Sequence, residues 1–294
     1  VESSLAAGDS TVKIIITGGS GFVGRELIQS LLQHHEIINI DLVPSGIADI
    51  EEYVHDLTKN SIPLTADFCF HLASAAGGLL YNQSSGMAAY NMGINRNVAE
   101  MCKGRIPLLF VSTLNVFENA NDLDSGNVPP PTTPYAQSKW EGDQYFVNQY
   151  FPALYIVRPS NLFGKSQIAH FSQYGESHVI PDLLQKIGKV TTNEIEVWGD
   201  GTQKRNFLHV KDFVNFIVSF LLKGYGEYEE RNICSNITMS IGDLVQELLK
   251  YTGKKCNIKY NPLYMSFEHM FIDKIQNQIE VIGEVESITE GLKT

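Results

Sequence analysis

The sequence is poor in cysteine. Cys69, Cys102, Cys234 and Cys256 are scattered, and no two share the close spacing of a metal site. A disulfide framework belongs to short secreted chains, whereas this one has 294 residues. The four therefore read as free thiols of a reducing compartment. Positive charge is also in deficit: 22 Lys and Arg against 33 Asp and Glu leave a net charge of -11. Such a surface repels polyphosphate, so no nucleic acid partner is expected, although a small anion can still find a locally positive pocket. No apolar run approaches the roughly 20 residues of a membrane span, and no membrane partner is expected. The opening V-E-S-S-L-A-A-G-D-S lacks the basic start and apolar stretch of a signal peptide, which points to a cytoplasmic location. Those ten residues are set aside. Internal repeats, low-complexity tracts and metal-ligand clusters are missing too.

What is present is a packed-core composition, 43% hydrophobic and 19% charged, in a regular alternation. Residues 12–17 are β-branched and apolar, then come glycines, then helical apolar spacing over 22–32, then a second apolar run over 36–42. That is a strand–helix–strand unit. Strands follow at 67–72, 107–112 and 154–158, separated by helices at 86–103 and 135–149. The pattern predicts an α/β fold with a doubly wound parallel sheet covered on both faces. The rhythm breaks after Gly164. Helices are expected over 180–187, 210–222 and 241–251, among short strands. The expected division is a Rossmann-type domain over 11–164, to which 206–236 returns, and a smaller C-terminal substrate lobe from 165–205 and 237–294.

Glycines at 18, 21 and 24 stand at G-x-x-G-x-x-G spacing, after a buried strand and before an amphipathic helix. Gly18 turns the chain, Gly21 lets backbone approach a pyrophosphate, and Gly24 lets helix meet sheet. Ser20, Phe22 and Val23 share that loop. Asp41 closes the second strand, where an acid holds adenosine ribose hydroxyls and repels the 2′-phosphate of NADP, so NAD is the expected cofactor. Tyr135 and Lys139 lie one helical turn apart on one face. An ammonium and a cationic nicotinamide both favour phenolate, so the tyrosine pKa is expected to fall and Tyr135 to move protons. Lys139 also reaches the nicotinamide ribose. Thr113, beside Ser112, ends the strand before that helix, where a hydroxyl can bond the reacting oxygen.

Taken in order, these motifs resemble the extended short-chain dehydrogenase/reductases of the NAD-dependent epimerase/dehydratase family. T-G-G-S-G-F-V-G at 17–24 is similar to its cofactor loop, Asp56-Leu57 to its adenine contact, and H-L-A-S at 71–74, with Leu72 and Ala73, to its fourth-strand end. Asn91 and Asn97 fit its N-x-x-x-x-x-N helix, S-T-L-N-V-F its S-[ST]-x-x-V-Y segment, and Y-A-Q-S-K its active-site helix. R-P-S-N-L-F-G at 158–164 and the segment 198–213 resemble its substrate-side motifs. The resemblance spans 12–292. It implies a homodimer, and a nucleotide-diphosphate sugar held between the lobes by Asn161, His178 and Arg205, with the arginine on the diphosphate. Its 4,6-dehydratases carry Asp-Glu after the active-site threonine, where this chain has Leu114-Asn115. S-H-V-I-P at 177–181 resembles GDP-fucose synthase, but the cysteine which that enzyme pairs with its histidine is replaced by Asn115. The favoured expectation is an epimerase working through a 4-keto sugar. A 4-keto reductase or dehydrogenase, and a non-catalytic sensor, are the alternatives. The pocket loops at 79–85 and 168–178 match no sugar class.

Overall fold

The computed structural model describes residues 11–78, 81–84, 86–121, 123, 128–167, 177–191, 193–223, 225–264 and 278–294. Eight strands form one parallel sheet. They are β1 Lys13–Thr17, β2 Glu36–Asp41, β3 Glu51–Val54, β4 Phe68–His71, β5 Leu108–Val111, β6 Leu154–Pro159, β10 Tyr228–Cys234 and β13 Glu280–Val281. Across the sheet they run β13-β10-β6-β5-β4-β1-β2-β3. Every pairing is parallel. Strand order therefore reverses between β1 and β4, and at such a reversal the loops splay apart and leave a crevice.

Helices cover both faces, which is why the central strands are apolar throughout rather than alternating. On one face α1 Phe22–Leu31 and α5 Val210–Val218 bury Leu27, Ile28, Phe213 and Ile217 against Ile14, Ile16 and Tyr155. On the other, α2 Met87–Cys102 and α3 Pro134–Val147 cover Ile15, Phe110 and Ile156. Helix α5 is shorter than the sequence spacing suggests. After Val218 the chain tightens into a 3-10 turn, Ser219–Leu222.

A second apolar centre gathers Ile180, Leu183, Phe207, Leu244, Leu248 and Ile288. It is built on a three-stranded sheet, β11 Thr238–Ser240, β9 Lys204–His209 and β7 Asn161–Phe163, and a parallel pair, β12 Asn257–Asn261 with β8 Glu194–Trp198. Helices α4 Val179–Lys189 and α6 Ile241–Thr252 pack on these. The chain visits the two centres alternately. Strand β10, from the returning segment, lies beside β6. Strand β13, which the sequence reading leaves in the smaller lobe, forms the outer edge of the large sheet. A strand of two residues, Glu280–Val281, is too short to show an alternating period. Cys69, Cys102 and Cys234 are buried free thiols, and Cys256 is half-buried and free. Among the described residues no helix is long and apolar enough to cross a membrane, and no cluster of metal-ligand side chains occurs.

Candidate active site

A cleft of about 590 Å3 opens over the carboxyl ends of β1, β4, β5 and β6. Its floor begins at the glycine loop. Gly18 leaves β1 at φ 77°, and a Cβ there would meet the Ala73 nitrogen at 2.7 Å. The turns that leave the parallel neighbours β1 and β4 can approach this closely only because that position has no side chain. Gly21 precedes α1 in extended conformation and caps it with no side chain, so the helix N-terminus faces the cleft bare. That suits an anionic pyrophosphate. Ser20, Phe22, Val23 and Gly24 line the same end.

The Asp41 carboxylate accepts the Ser20 N–H at 3.0 Å and the Leu42 N–H at 2.6 Å, which aims it at the loop. Asp56 accepts the Thr58 N–H at 2.9 Å and hydroxyl at 2.6 Å; the hydroxyl bond and then the backbone bond lower its pKa. The Leu57 carbonyl accepts from Asn97 at 2.7 Å, so α2 fixes this corner. Leu72 and Ala73 leave β4, with the Leu72 N–H on the Thr17 carbonyl at 3.0 Å. All of these except Asn97, Thr17 and Thr58 line the cleft. The glycine cradle, the open helix end and the strand-end carboxylate fit a dinucleotide.

Under this corner lies a polar chain that the sequence reading only touched. The Ala73 N–H reaches the Thr17 hydroxyl at 3.3 Å, Thr17 bonds His71 Nδ1 at 2.7 Å, and His71 Nε2 meets the Asn95 side-chain Oδ1 at 2.9 Å. Burial depresses His71 to about 3, so the ring is neutral, with its proton on Nε2 facing Asn95. Spacing alone gave no hint of Asn95, because its partner is 24 residues away.

At the far end Thr113, Tyr135 and Lys139 meet, with Asn115 beside them. Thr113 follows β5 and opens a 3-10 turn, Leu114–Phe117, accepting the Asn115 N–H at 3.3 Å. Tyr135 stands in the first turn of α3 and keeps part of its surface open to the cleft. Burial pushes its phenol up to about 12, and a hydrogen bond from Thr113 pulls it back. The lowered pKa expected from the sequence counted a cationic nicotinamide beside the ammonium; in the protein alone burial outweighs its neighbours. Lys139 donates to the Val111 carbonyl at 2.9 Å, with its ammonium 5.1 Å from the Phe110 ring centre. Burial pulls that ammonium down to about 8, against the opposing field of Asp143.

Asp143, one turn past Lys139, belongs to a buried charge chain. Its Oδ2 holds Arg158 Nε at 2.7 Å, and Arg158 Nη1 holds Glu230 at 2.6 Å. Burial pulls the Arg158 pKa down, but Asp143 and Glu230 outweigh it and keep the guanidinium charged. Sequence reasoning took Arg158 only as the start of a motif. Its partners come from α3 and from β10, which joins the sheet late in the chain.

On the substrate side, Asn161 lines the cleft while its amide donates to the Asn206 carbonyl at 2.9 Å. His178 precedes α4 and lines the cleft as well. Arg205 is not among the lining residues. It lies on β9, half-buried, with Nη1 on the Lys204 carbonyl at 2.9 Å, and burial lowers its pKa to about 10.

The model of the NAD dependent epimerase/dehydratase family matches residues 14–234. Curated relatives include a probable GDP-L-fucose synthase 1 of Oryza sativa subsp. japonica, 28% identical over 84% of this chain and 80% of its own. The GDP-6-deoxy-D-talose 4-dehydrogenase of Aggregatibacter actinomycetemcomitans is 25% identical over 86% of this chain and 85% of its own. Among solved structures, the UDP-glucuronic acid 4-epimerase from Bacillus cereus in complex with UDP-glucuronic acid and NAD superposes with a TM-score of 0.73. It is 21% identical and covers 96% of both chains.

Proposed function

This chain belongs to the NAD-dependent epimerase/dehydratase family, and from that premise we propose that it inverts C4 of a nucleotide-diphosphate sugar with NAD that it retains. One observation carries the reading: Thr113, Tyr135 and Lys139 meet at the end of the cleft beside Asn115, whose amide neither gains nor loses a proton near neutrality. Loss of water from the sugar needs an ionisable group at that place, and an amide does not supply it.

When bound, NAD supplies the acceptor and then the donor of the C4 hydride, and a positive ring that favours phenolate. Tyr135 takes the proton of the 4-hydroxyl and later returns it to the same oxygen. Thr113 holds that oxygen in line with the phenol. Lys139, fixed by its bond to the Val111 carbonyl, would hold the nicotinamide ribose. Asp41 would hold the adenosine ribose hydroxyls and disfavour a 2′-phosphate. Asn161 and His178 contact the sugar, and Arg205 the diphosphate. The keto sugar turns in the cleft and offers its other face, so redox balance closes without net consumption of cofactor.

His178 on the cleft wall supports a second reading, net reduction of a 4-keto sugar with a lone acid there. The GDP-L-fucose synthase relatives lean the same way. Incubation with UDP-, GDP- and dTDP-hexoses and trace NAD, and in parallel with 4-keto nucleotide sugars and NADPH, each followed by proton NMR, separates the two. A C4 epimer without cofactor turnover is expected. Stoichiometric consumption of NADPH would replace the epimerase with the reductase, and a protein that binds but converts nothing would leave only a sensor. Tyr135→Phe should lose at least about 100-fold in rate while binding NAD as before. Near-parental turnover in that variant would remove Tyr135 from the chemistry.

A further inference from the structure

Thr113 and Tyr135 belong to different segments, and the sequence span 114–134 separates them. Glu118 bridges its two ends directly. It is the closing residue of the 3-10 turn that Thr113 opens. Its Oε1 accepts the Thr133 N–H at 2.7 Å, the Thr132 hydroxyl at 3.0 Å and the Thr132 N–H. Its Oε2 accepts the Thr133 hydroxyl at 2.8 Å. Asn119 adds a fifth tie, its amide donating to the Pro130 carbonyl at 2.8 Å.

Thr133 is the residue that precedes α3, and its side chain makes no capping bond to its own helix. Its hydroxyl is turned onto Glu118 instead. The carboxylate thus acts as an external anchor at the start of a 14-residue helix, where negative charge is favoured. Two residues beyond Thr133 stands Tyr135. At the opposite end of the same short turn, Thr113 hydrogen-bonds the phenol. The two partners are therefore fixed to each other twice, once through their own contact and once through Glu118. Three of the four donors fall on Oε1 and one on Oε2, so a single carboxylate holds both threonines at once.

We propose that Glu118 is a positioning residue that sets the Tyr135 phenol against the Thr113 hydroxyl by holding Thr132 and Thr133. The inference rests on the functional reading above. Small displacements of reacting groups cost rate far more than binding. Glu118→Ala should therefore lower kcat at least about tenfold on the sugar nucleotide the parent turns over best, with KM and NAD affinity within about twofold. Glu118→Gln keeps one carbonyl oxygen for the two N–H groups and turns its amide toward the Thr133 hydroxyl, so it should recover kcat to within about threefold. Hydrogen exchange on the NAD-loaded protein reads the anchor without any substrate: the Thr132 and Thr133 amides should lose protection in Glu118→Ala and regain it in Glu118→Gln. Parental kcat in the alanine variant, a loss that glutamine does not recover, KM rising with falling kcat, or unchanged exchange would each overturn the proposal. A parent inert on every sugar nucleotide would instead overturn the functional reading, and the catalytic role of Glu118 with it.

Discussion

At the scale of single residues, Lys139 shows how the site trades stability for chemistry. It is 5% exposed, and burial holds its ammonium at about 8 against an ordinary 10.5. That difference costs the fold roughly 3 kcal/mol at neutral pH, where the lysine is charged both folded and unfolded. Losing its bond to the Val111 carbonyl would return about 1 kcal/mol of that. Lys139→Met should therefore stabilise the protein by about 2 kcal/mol at pH 7 while abolishing turnover. The sign follows from the lowered pKa. As pH rises through 8 toward 10.5 the folded lysine sheds its proton first, the parent regains stability, and the advantage of the variant shrinks. Urea unfolding at pH 7 and 9.5 checks both parts, and a variant less stable than the parent at pH 7 would contradict the argument. Tyr135 and Lys139 could be named from the sequence because a helix repeats them onto one face. The burial that opposes phenolate could not, since it depends on how α2, β5 and α3 close around them. The same holds for Asp143 and Arg158, whose ion pair becomes visible only once helix and strand are side by side.

At the scale of elements, the glycine loop separates binding from packing. A Cβ on Gly24 would lie 2.3 Å from the Gly18 oxygen and 2.4 Å from the Gly19 Cα, both backbone atoms that cannot step aside. Gly24→Ala should therefore push α1 off the sheet and cost about 2 kcal/mol or more. A Cβ on Gly21 would meet only the Gly18 oxygen, at 3.2 Å, and its backbone is already in a region open to any residue. Gly21→Ala should leave thermal unfolding nearly unchanged yet weaken NAD at least about tenfold, because the methyl group stands where the pyrophosphate approaches. Thermal melts with NAD titrations distinguish the two, and an alanine at 21 that binds NAD like the parent would displace the cradle from this loop. The strand–loop–helix unit was legible because apolar period and glycines change together over 13–31. The strands β3 and β7 were not. E-E-Y-V at 51–54 is a half-exposed edge strand without an apolar run, and 161–163 is three residues long within a loop-like motif.

At the scale of the whole molecule, an acidic chain must bind anions at two places. The cofactor end relies on backbone N–H groups. On the proposed reading the substrate end would draw on Arg205, on β9 between β7 and β11. Its planar fork suits two phosphate oxygens at once. Arg205→Ala should weaken UDP-glucose by about 2 kcal/mol and leave NAD affinity unchanged, read by calorimetry with each ligand. The reverse pattern would show that the lobes have been assigned the wrong ligands. The interleaved path of the chain has a consequence for dissection. All six residues of β6 are buried, and their neighbour β10 arrives only after the chain has passed through β8 and β9. A protein cut after Gly164 would thus leave β6 as a naked apolar border, ready to pair with another copy. The two lobes cannot be shuffled like beads on a string, because the larger sheet is completed by strands that the chain supplies only after it has built part of the smaller one.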